Sequence, residues 1–220
     1  MENSSLILGD LNESQLAHKR RLMNVLKKYL PPAALGYCSE LIMKNNLHLH
    51  IEVERKNKLG DFSPHLGKGN RISINHNLNP YDFLITFAHE LAHFIAHQKY
   101  GPDHQSHGKE WKQEFKNCMR PMVMKKFFPP QISVPLIRHM QNPKYTHTAD
   151  VTLMKALMLF DKDKNFILLE QLKEGQLFKM SKRSKVILKK GEENKTYYNC
   201  EAVETQKKYL VHCIAKVIIV

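Results

Sequence analysis

The stretch over residues 79–101 constrains the fold of this chain more than any other. Asn79 is suited to cap a helix, Pro80 to occupy its first turn and Gly101 to end it. Apolar side chains lie around much of the helix that these signals enclose, including Phe83, Leu84, Phe87, Leu91, Phe94 and Ile95. Because a helix that is apolar on most sides must be covered by other elements, we expect it at the centre of a domain.

Four further elements are predicted before this helix. Amphipathic patterns indicate helices over residues 13–30 and 33–44, separated by Pro31-Pro32. Strict alternation of apolar and polar residues indicates a half-buried strand over residues 47–54, and a second short strand is expected over 71–75. Turns are expected between the two strands, at Gly60, Pro64, Gly67 and Gly69.

The pattern changes in the second half of the chain. A helix is predicted from about residue 108 and another over about 150–160. Prolines are expected to interrupt the segment between them, at Pro121, Pro129, Pro130 and Pro135. After residue 164, short apolar runs separated by turns indicate a small antiparallel β meander or barrel. We therefore predict an α+β fold, with one domain over residues 10–160 and a small basic β domain over residues 161–220.

A metal-binding pattern lies inside the buried helix, at His89-Glu90-Leu91-Ala92-His93. Residues four apart lie one above the other on a helix, so both imidazoles can reach one metal ion. Glu90 is offset from them, close enough to take a proton from water at the metal without being a ligand. An ionisable glutamate inside an apolar helix is costly unless it has a partner or a chemical role. The pattern therefore predicts a zinc site with His89 and His93 as ligands and Glu90 as the general base.

A catalytic zinc site needs a third protein ligand and one open position. Four histidines are candidates: His97, His104, His107 and His139. A ligand at position 97 would have to reach past His93, because both residues lie on the same helical face. The loop after the helix can fold back towards it and carries both His104 and His107, so the residues alone leave these two open.

The motifs together resemble those of the SprT-like, Spartan-related zinc metallopeptidase family. His89-Glu90-Leu91-Ala92-His93 is followed, after a short loop, by His107-Gly108-Lys109-Glu110-Trp111. The family carries H-E-x-x-H and then H-G-x-x-(W/F). The preceding segments are also similar, at Lys58–Phe62, Ile72–Asn75 and Leu78–Pro80. The resemblance covers roughly residues 20–160 and extends more faintly over the C-terminal segment.

The resemblance implies a minimal zincin-like domain with a short mixed sheet over the helix of the first motif. It implies a zinc-dependent endopeptidase acting on DNA-associated or unfolded proteins, with Glu90 as the catalytic base. It also implies that His107 is the third zinc ligand beside His89 and His93. By the same resemblance, residues 72–75 are expected at the sheet edge beside the cleft, where an extended substrate could add as a strand.

The chain departs from the family in its C-terminal region. Many members carry a four-cysteine zinc ribbon there, but only Cys200 and Cys213 lie in this region, so a Cys₄ site is excluded. The four cysteines of the chain are scattered and are predicted to be reduced thiols. Two alternatives remain. One is a DNA-binding protein with a structural, non-catalytic zinc site, against which Glu90 argues, and the other is a metal-dependent hydrolase of small molecules.

The charge of the chain bears on its partners. The formal net charge is +13, and the excess of bases is steepest between Lys179 and Lys190, where no acidic residue occurs. Such a surface attracts polyanions, so DNA is a possible partner, although a solvated surface without a partner has the same pattern. No apolar run is long enough to cross a bilayer, and no secretory signal is recognisable. We therefore expect a cytoplasmic protein without a membrane partner, and the oligomeric state is left open.

Overall fold

The computed structural model describes residues 12–55, 57–64, 69–164 and 166–220. The fold is α+β, and the chain divides into two compact units, Met1–His147 and Thr148–Val220. The sequence patterns place the domain boundary near residue 160. The units divide earlier, because the helix Val151–Met158 groups with the C-terminal unit.

Two helices begin the N-terminal unit. Helix α1 (Glu13–Leu26) starts with a capping box, in which Asn12 and Gln15 each accept a hydrogen bond from the other's backbone N–H. A single 3₁₀ turn then leads into helix α2 (Leu35–Lys44). Both predicted helices are confirmed, and their apolar side chains enter the core, including Leu26, Cys38 and Ile42.

A three-stranded mixed sheet follows, with strands β1 (Leu47–Glu52), β2 (Gly60–Ser63) and β3 (Asn70–Asn75). The strand order is β1-β3-β2; β1 runs parallel to β3, and β2 runs antiparallel to it. The expectation that residues 72–75 form the sheet edge is wrong, because β3 pairs on both sides. Instead β2 is an edge strand among the described residues, and the sequence patterns missed it because Gly60 indicates a turn.

The buried helix predicted from its caps is α3 (Pro80–Tyr100). The Asn79 side chain accepts hydrogen bonds from the backbone N–H groups of Tyr81 and Asp82, and Gly101 ends the helix at a φ of 79°. The helix packs against β2, β3 and the following helix. Ile72 and Ile74 of β3, both fully buried, face it.

Two helices complete the N-terminal unit, α4 (Lys109–Met124) and α5 (Pro130–Gln141). The expectation that prolines interrupt this segment is wrong for Pro121 and Pro135, which lie inside α4 and α5. Burial of apolar side chains on both helices stabilises them against the loss of one backbone hydrogen bond per proline. These side chains include Met119, Met122, Ile132 and Leu136.

The C-terminal unit contains helix α6 (Val151–Met158) and six strands: β4 (Ile167–Leu168), β5 (Leu177–Lys179), β6 (Leu188–Asn194), β7 (Tyr197–Ala202), β8 (Lys208–His212) and β9 (Lys216–Ile219). The strands form one antiparallel sheet in the order β4-β9-β5-β6-β7-β8, in which β6, β7 and β8 are a meander. The predicted antiparallel arrangement is confirmed. The four cysteines are free and buried, as expected of reduced structural thiols. Among the described helices, none combines the length and the apolar character needed to cross a bilayer.

Candidate metal centre

Three imidazole nitrogens meet at the surface of α3. The Nε2 atom of His93 lies 3.1 Å from that of His89 and 3.1 Å from that of His107, and the third side of the triangle is 3.2 Å. In the described part of the chain, these three side chains are the group of potential ligands that could hold a metal ion. His97, His104 and His139 lie outside this triangle.

The size of the triangle fits a zinc ion. Three nitrogens that share a tetrahedral zinc at bond lengths of about 2.0–2.1 Å stand roughly 3.3 Å apart. The observed separations of 3.1–3.2 Å are close to this value. Three histidines are also a ligand set that proteins use to bind zinc.

The local chain path explains why these three side chains meet. His89 and His93 are one helical turn apart on α3. His107 comes from the loop that follows α3, where the backbone N–H of Gly108 donates to the carbonyl of Gln105, 2.9 Å away, immediately before α4 begins. Because α4 packs against α3, the end of this loop lies beside the middle of α3.

The ring of Trp111 packs against all three imidazoles of the triangle. Its fully buried ring lies 4.6 Å from the ring of His89, 5.4 Å from that of His93 and 4.8 Å from that of His107, measured between centroids. On its other side it stacks on Phe115, at 5.2 Å and 15°. The indole N–H of Trp111 is the one buried side-chain polar atom without a hydrogen-bond partner in the part of the chain that the structure describes. The tryptophan therefore restricts the orientation of all three imidazoles by packing alone.

The imidazoles are held in the neutral form that a metal requires. Burial and, to a lesser extent, the neighbouring histidines together lower the pKa of His89 to about 2. Burial, together with His107, lowers the pKa of His93 to about 3. Burial also lowers the pKa of His107. Neutral imidazoles keep their lone pairs available at neutral pH, so no proton competes with a metal ion there.

The side chain of Glu90 extends from α3 to Gly60 of β2, and the residue is 5% exposed. Burial raises the pKa of its carboxyl to about 8, and nearby Asp61 acts in the same direction. A hydrogen bond from the backbone N–H of Phe62 opposes this shift, as do the charges of Arg55 and Lys58. A carboxyl with this pKa can both take up and release a proton near neutral pH.

The other candidate histidines have different surroundings. Nδ1 of His104 lies 2.6 Å from the carbonyl oxygen of Gly101, so that side chain is hydrogen-bonded within its own loop. His97 packs on the ring of Phe62, at 5.7 Å between centroids. His139 is buried, and its ring lies 6.2 Å from Phe115. None of these contacts directs the side chain into the triangle.

Sequence reasoning missed one participant of this site, the strand β2. Gly60 of this strand lies against Thr86 and Glu90 of α3, and Phe62 packs on Phe94, at 5.9 Å between ring centroids. The available signal was weak, since a glycine within a short polar segment indicates a turn more often than a strand.

The comparison with protein families agrees with the motifs. Residues 38–135 match the model of the SprT-like family, a range that runs from α2 into α5 and includes the triangle and Glu90. No curated protein and no solved structure matches the chain significantly. The resemblance stated from the two motifs is thus confirmed over these residues, and its wider extent stays a prediction.

Proposed function

Residues 38–135 are a SprT-like segment, and on that premise we propose that the chain is a zinc-dependent endopeptidase with a zincin-like catalytic domain. His89, His93 and His107 hold the metal, and Glu90 is the general base. The observation that carries this proposal is the triangle of neutral imidazole nitrogens 3.1–3.2 Å apart, with a buried carboxylate at the neighbouring position of the same helix.

The proposed reaction uses the metal-binding triangle and the carboxyl group of Glu90. A zinc ion in the triangle would supply Lewis acidity, which lowers the pKa of water and polarises a peptide carbonyl. Glu90 removes the proton from the attacking water and then delivers a proton to the leaving amine. One carboxyl can serve both transfers, because it takes up a proton in the first and releases it in the second.

The substrate is proposed to bind as an extended strand along the edge of β2 that faces away from β3, where no described strand pairs with it. The backbone N–H of Asn75 donates to the carbonyl of Leu59, so alternate residues of β2 face β3, and Gly60 and Phe62 direct their backbone groups outward. An added strand would lie beside Gly60, which is in close contact with the side chain of Glu90. This mode of binding requires an unfolded or flexible segment in the substrate, which favours unfolded proteins. That the substrates are DNA-associated is proposed from the resemblance of the motifs alone.

The alternative of a structural zinc site is less well supported. A structural zinc is almost always held by four protein ligands, and the described residues bring three together at this place. A structural site also has no use for a buried glutamate with a raised pKa.

The decisive experiment compares the wild type with Glu90→Gln, with bound zinc measured in each preparation. We expect both proteins to bind zinc, and only the wild type to cleave an unfolded test protein such as reduced, denatured casein. Glu54→Gln, the same substitution at an exposed position, is the matched control and should cleave normally. Equal cleavage by wild type and Glu90→Gln, or no cleavage by zinc-loaded wild type, would contradict the proposal.

We further propose that the C-terminal unit binds single-stranded DNA, which would recruit the enzyme to its substrates. The exposed bases of the segment 179–190 are Lys182, Arg183, Lys185 and Lys189. Lys190 does not belong to this surface, because it is 5% exposed and its ammonium group donates to the carbonyl of Leu172, 2.6 Å away.

Aromatic side chains accompany these bases. The rings of Tyr197 and Tyr209, 42% and 37% exposed, line a groove of about 470 Å³ together with His212. Ser184 and Val186 line the same groove, and they are next to Arg183 and Lys185 in the sequence. Single-stranded nucleic acids bind to surfaces that pair cations for the phosphates with rings for the bases. Two other aromatic residues of this unit do not contribute, since Phe178 is fully buried and Tyr198 packs on the core.

Fluorescence anisotropy with a labelled single-stranded oligonucleotide tests the DNA proposal. Combined substitution of Lys182, Arg183 and Lys185 by alanine should weaken binding and reduce the salt dependence of log K by about 2, the value for three phosphate contacts. The matched control replaces Lys162, Lys164 and Lys173, exposed lysines of the same unit, and should change binding little. Absence of binding, or equal losses in both triple variants, would contradict DNA binding by this surface.

A further inference from the structure

Strand β2 approaches helix α3 most closely at Gly60. A Cβ atom built on Gly60 would lie 2.6 Å from Oε1 and 2.8 Å from Cγ of Glu90, and 2.7 Å from Cγ2 of Thr86. Carbon atoms do not approach their neighbours so closely, so position 60 has no room for any side chain. The backbone does not require glycine there, because the described glycines with positive φ are Gly69, Gly101 and Gly175. Space alone explains the residue.

Both elements at this contact are held in place by other interactions. Gly60 is paired with Ile74 in the β ladder, and the ring of Phe62 packs on Phe94 and His97. Thr86 is β-branched, and its hydroxyl donates to the carbonyl of Asp82, 2.8 Å away. The unbranched side chain of Glu90 is therefore the part that would move if residue 60 had a Cβ atom.

This contact involves the carboxylate itself, since Oε1 of Glu90 is the atom nearest to a Cβ atom built on Gly60. Gly60 therefore limits the space of the carboxylate by close packing. We call the contact between Gly60 and the side chain of Glu90 the β2 seat.

We propose that the β2 seat positions the carboxylate of Glu90 for proton transfer. Residue 60 is then a positioning residue, and it must be glycine because any side chain there would displace Glu90. The catalytic part of this inference rests on the proposed peptidase function. The geometric part does not, because it concerns only the contact between positions 60 and 90.

Gly60→Ala tests the catalytic part. We expect the variant to keep its full zinc content and a KM within about twofold of wild type, and kcat to fall by about 10²-fold, the effect of misplacing a catalytic group by about 1 Å. Gly36→Ala is the matched control, since a Cβ atom at Gly36 meets no other atom within 4 Å. An unchanged kcat would refute the seat. Loss of zinc together with activity would also refute it, because Gly60 would then be needed for the metal centre as a whole.

Thermal unfolding tests the geometric part without any activity. Gly60→Ala should lower Tm by roughly 3–8 °C, the range for overpacking a chain of this size. In a Glu90→Ala background the same substitution should lower Tm by less than half as much, because Cγ and Oε1 of residue 90 are gone. An equal decrease in both backgrounds would show that Glu90 does not occupy the seat. If wild type has no peptidase activity but the Tm effect of Gly60→Ala depends on Glu90, the proposed function fails while the contact between positions 60 and 90 is supported.

Thr86→Ser separates packing from catalysis. It removes Cγ2, one of the atoms that a Cβ at position 60 would meet, and keeps the hydroxyl bond to Asp82. In Gly60→Ala this second change should recover part of the Tm and leave kcat low, because the contact with Glu90 remains. Full recovery of kcat would contradict a role for the Glu90 contact.

Discussion

Truncation of Trp111 should weaken zinc binding more than its effect on folding explains. The ring is fully buried and touches all three imidazoles, at centroid distances of 4.6–5.4 Å. Trp111→Ala removes a large buried side chain, which typically costs about 3–5 kcal/mol of folding free energy. The imidazoles would also lose the surface that restricts their rotation. Contacts that orient metal ligands contribute about 10–100-fold to affinity, so we expect zinc affinity to fall by that factor.

Trp111→Phe separates the volume of the ring from its N–H group. The indole N–H has no hydrogen-bond partner, so its removal leaves no acceptor unpaired, and the remaining ring keeps part of the packing. We expect a smaller loss of stability, about 1–2 kcal/mol, and zinc affinity within a few-fold of wild type.

Zinc competition with a chromophoric chelator, together with chemical denaturation, measures both effects. Phe178→Ala is the control, because Phe178 is an equally buried aromatic residue of the C-terminal unit. It should cost comparable stability and leave zinc affinity unchanged. If Trp111→Ala and Phe178→Ala bind zinc equally well, packing by Trp111 does not organise the triangle and the reasoning is refuted.

Three further predictions concern the ligand set and two buried charges. His107→Ala should reduce zinc content strongly while His104→Ala keeps it; metal analysis showing the reverse would make His104 the third ligand. Lys190→Met should destabilise the chain by about 1–3 kcal/mol in denaturant titrations, because the carbonyl of Leu172 loses its donor, and unchanged stability would contradict a structural role for the buried ammonium group. Burial alone would raise the pKa of Glu114, but hydrogen bonds, first that from Lys99, lower it overall. Its stabilising effect is therefore complete above its unfolded pKa and lost as pH falls, so denaturation from about pH 5 downward should be steeper for wild type than for Glu114→Gln.

Local patterns predicted most of the elements correctly. The caps Asn79 and Gly101 bound α3 as expected, because capping depends on residues within one turn of the helix end. The spacing of His89 and His93 predicted their shared face, since helical periodicity alone brings them together. The expectations about Pro121 and Pro135 failed because burial of neighbouring apolar residues outweighs a single missing hydrogen bond.

The sequence by itself determined two corners of the triangle, His89 and His93, and the position of Glu90 between them, through the local periodicity of one helix. Tertiary structure decided the rest, because those features depend on segments far apart in the chain. The packing of α4 on α3 places His107, rather than His104, beside His89 and His93. The sequence indicates a turn at Gly60, but because β2 packs close to α3, Gly60 lies against the side chain of Glu90. No local sequence pattern predicts such contacts, since they form only when elements that are far apart in the sequence pack against one another.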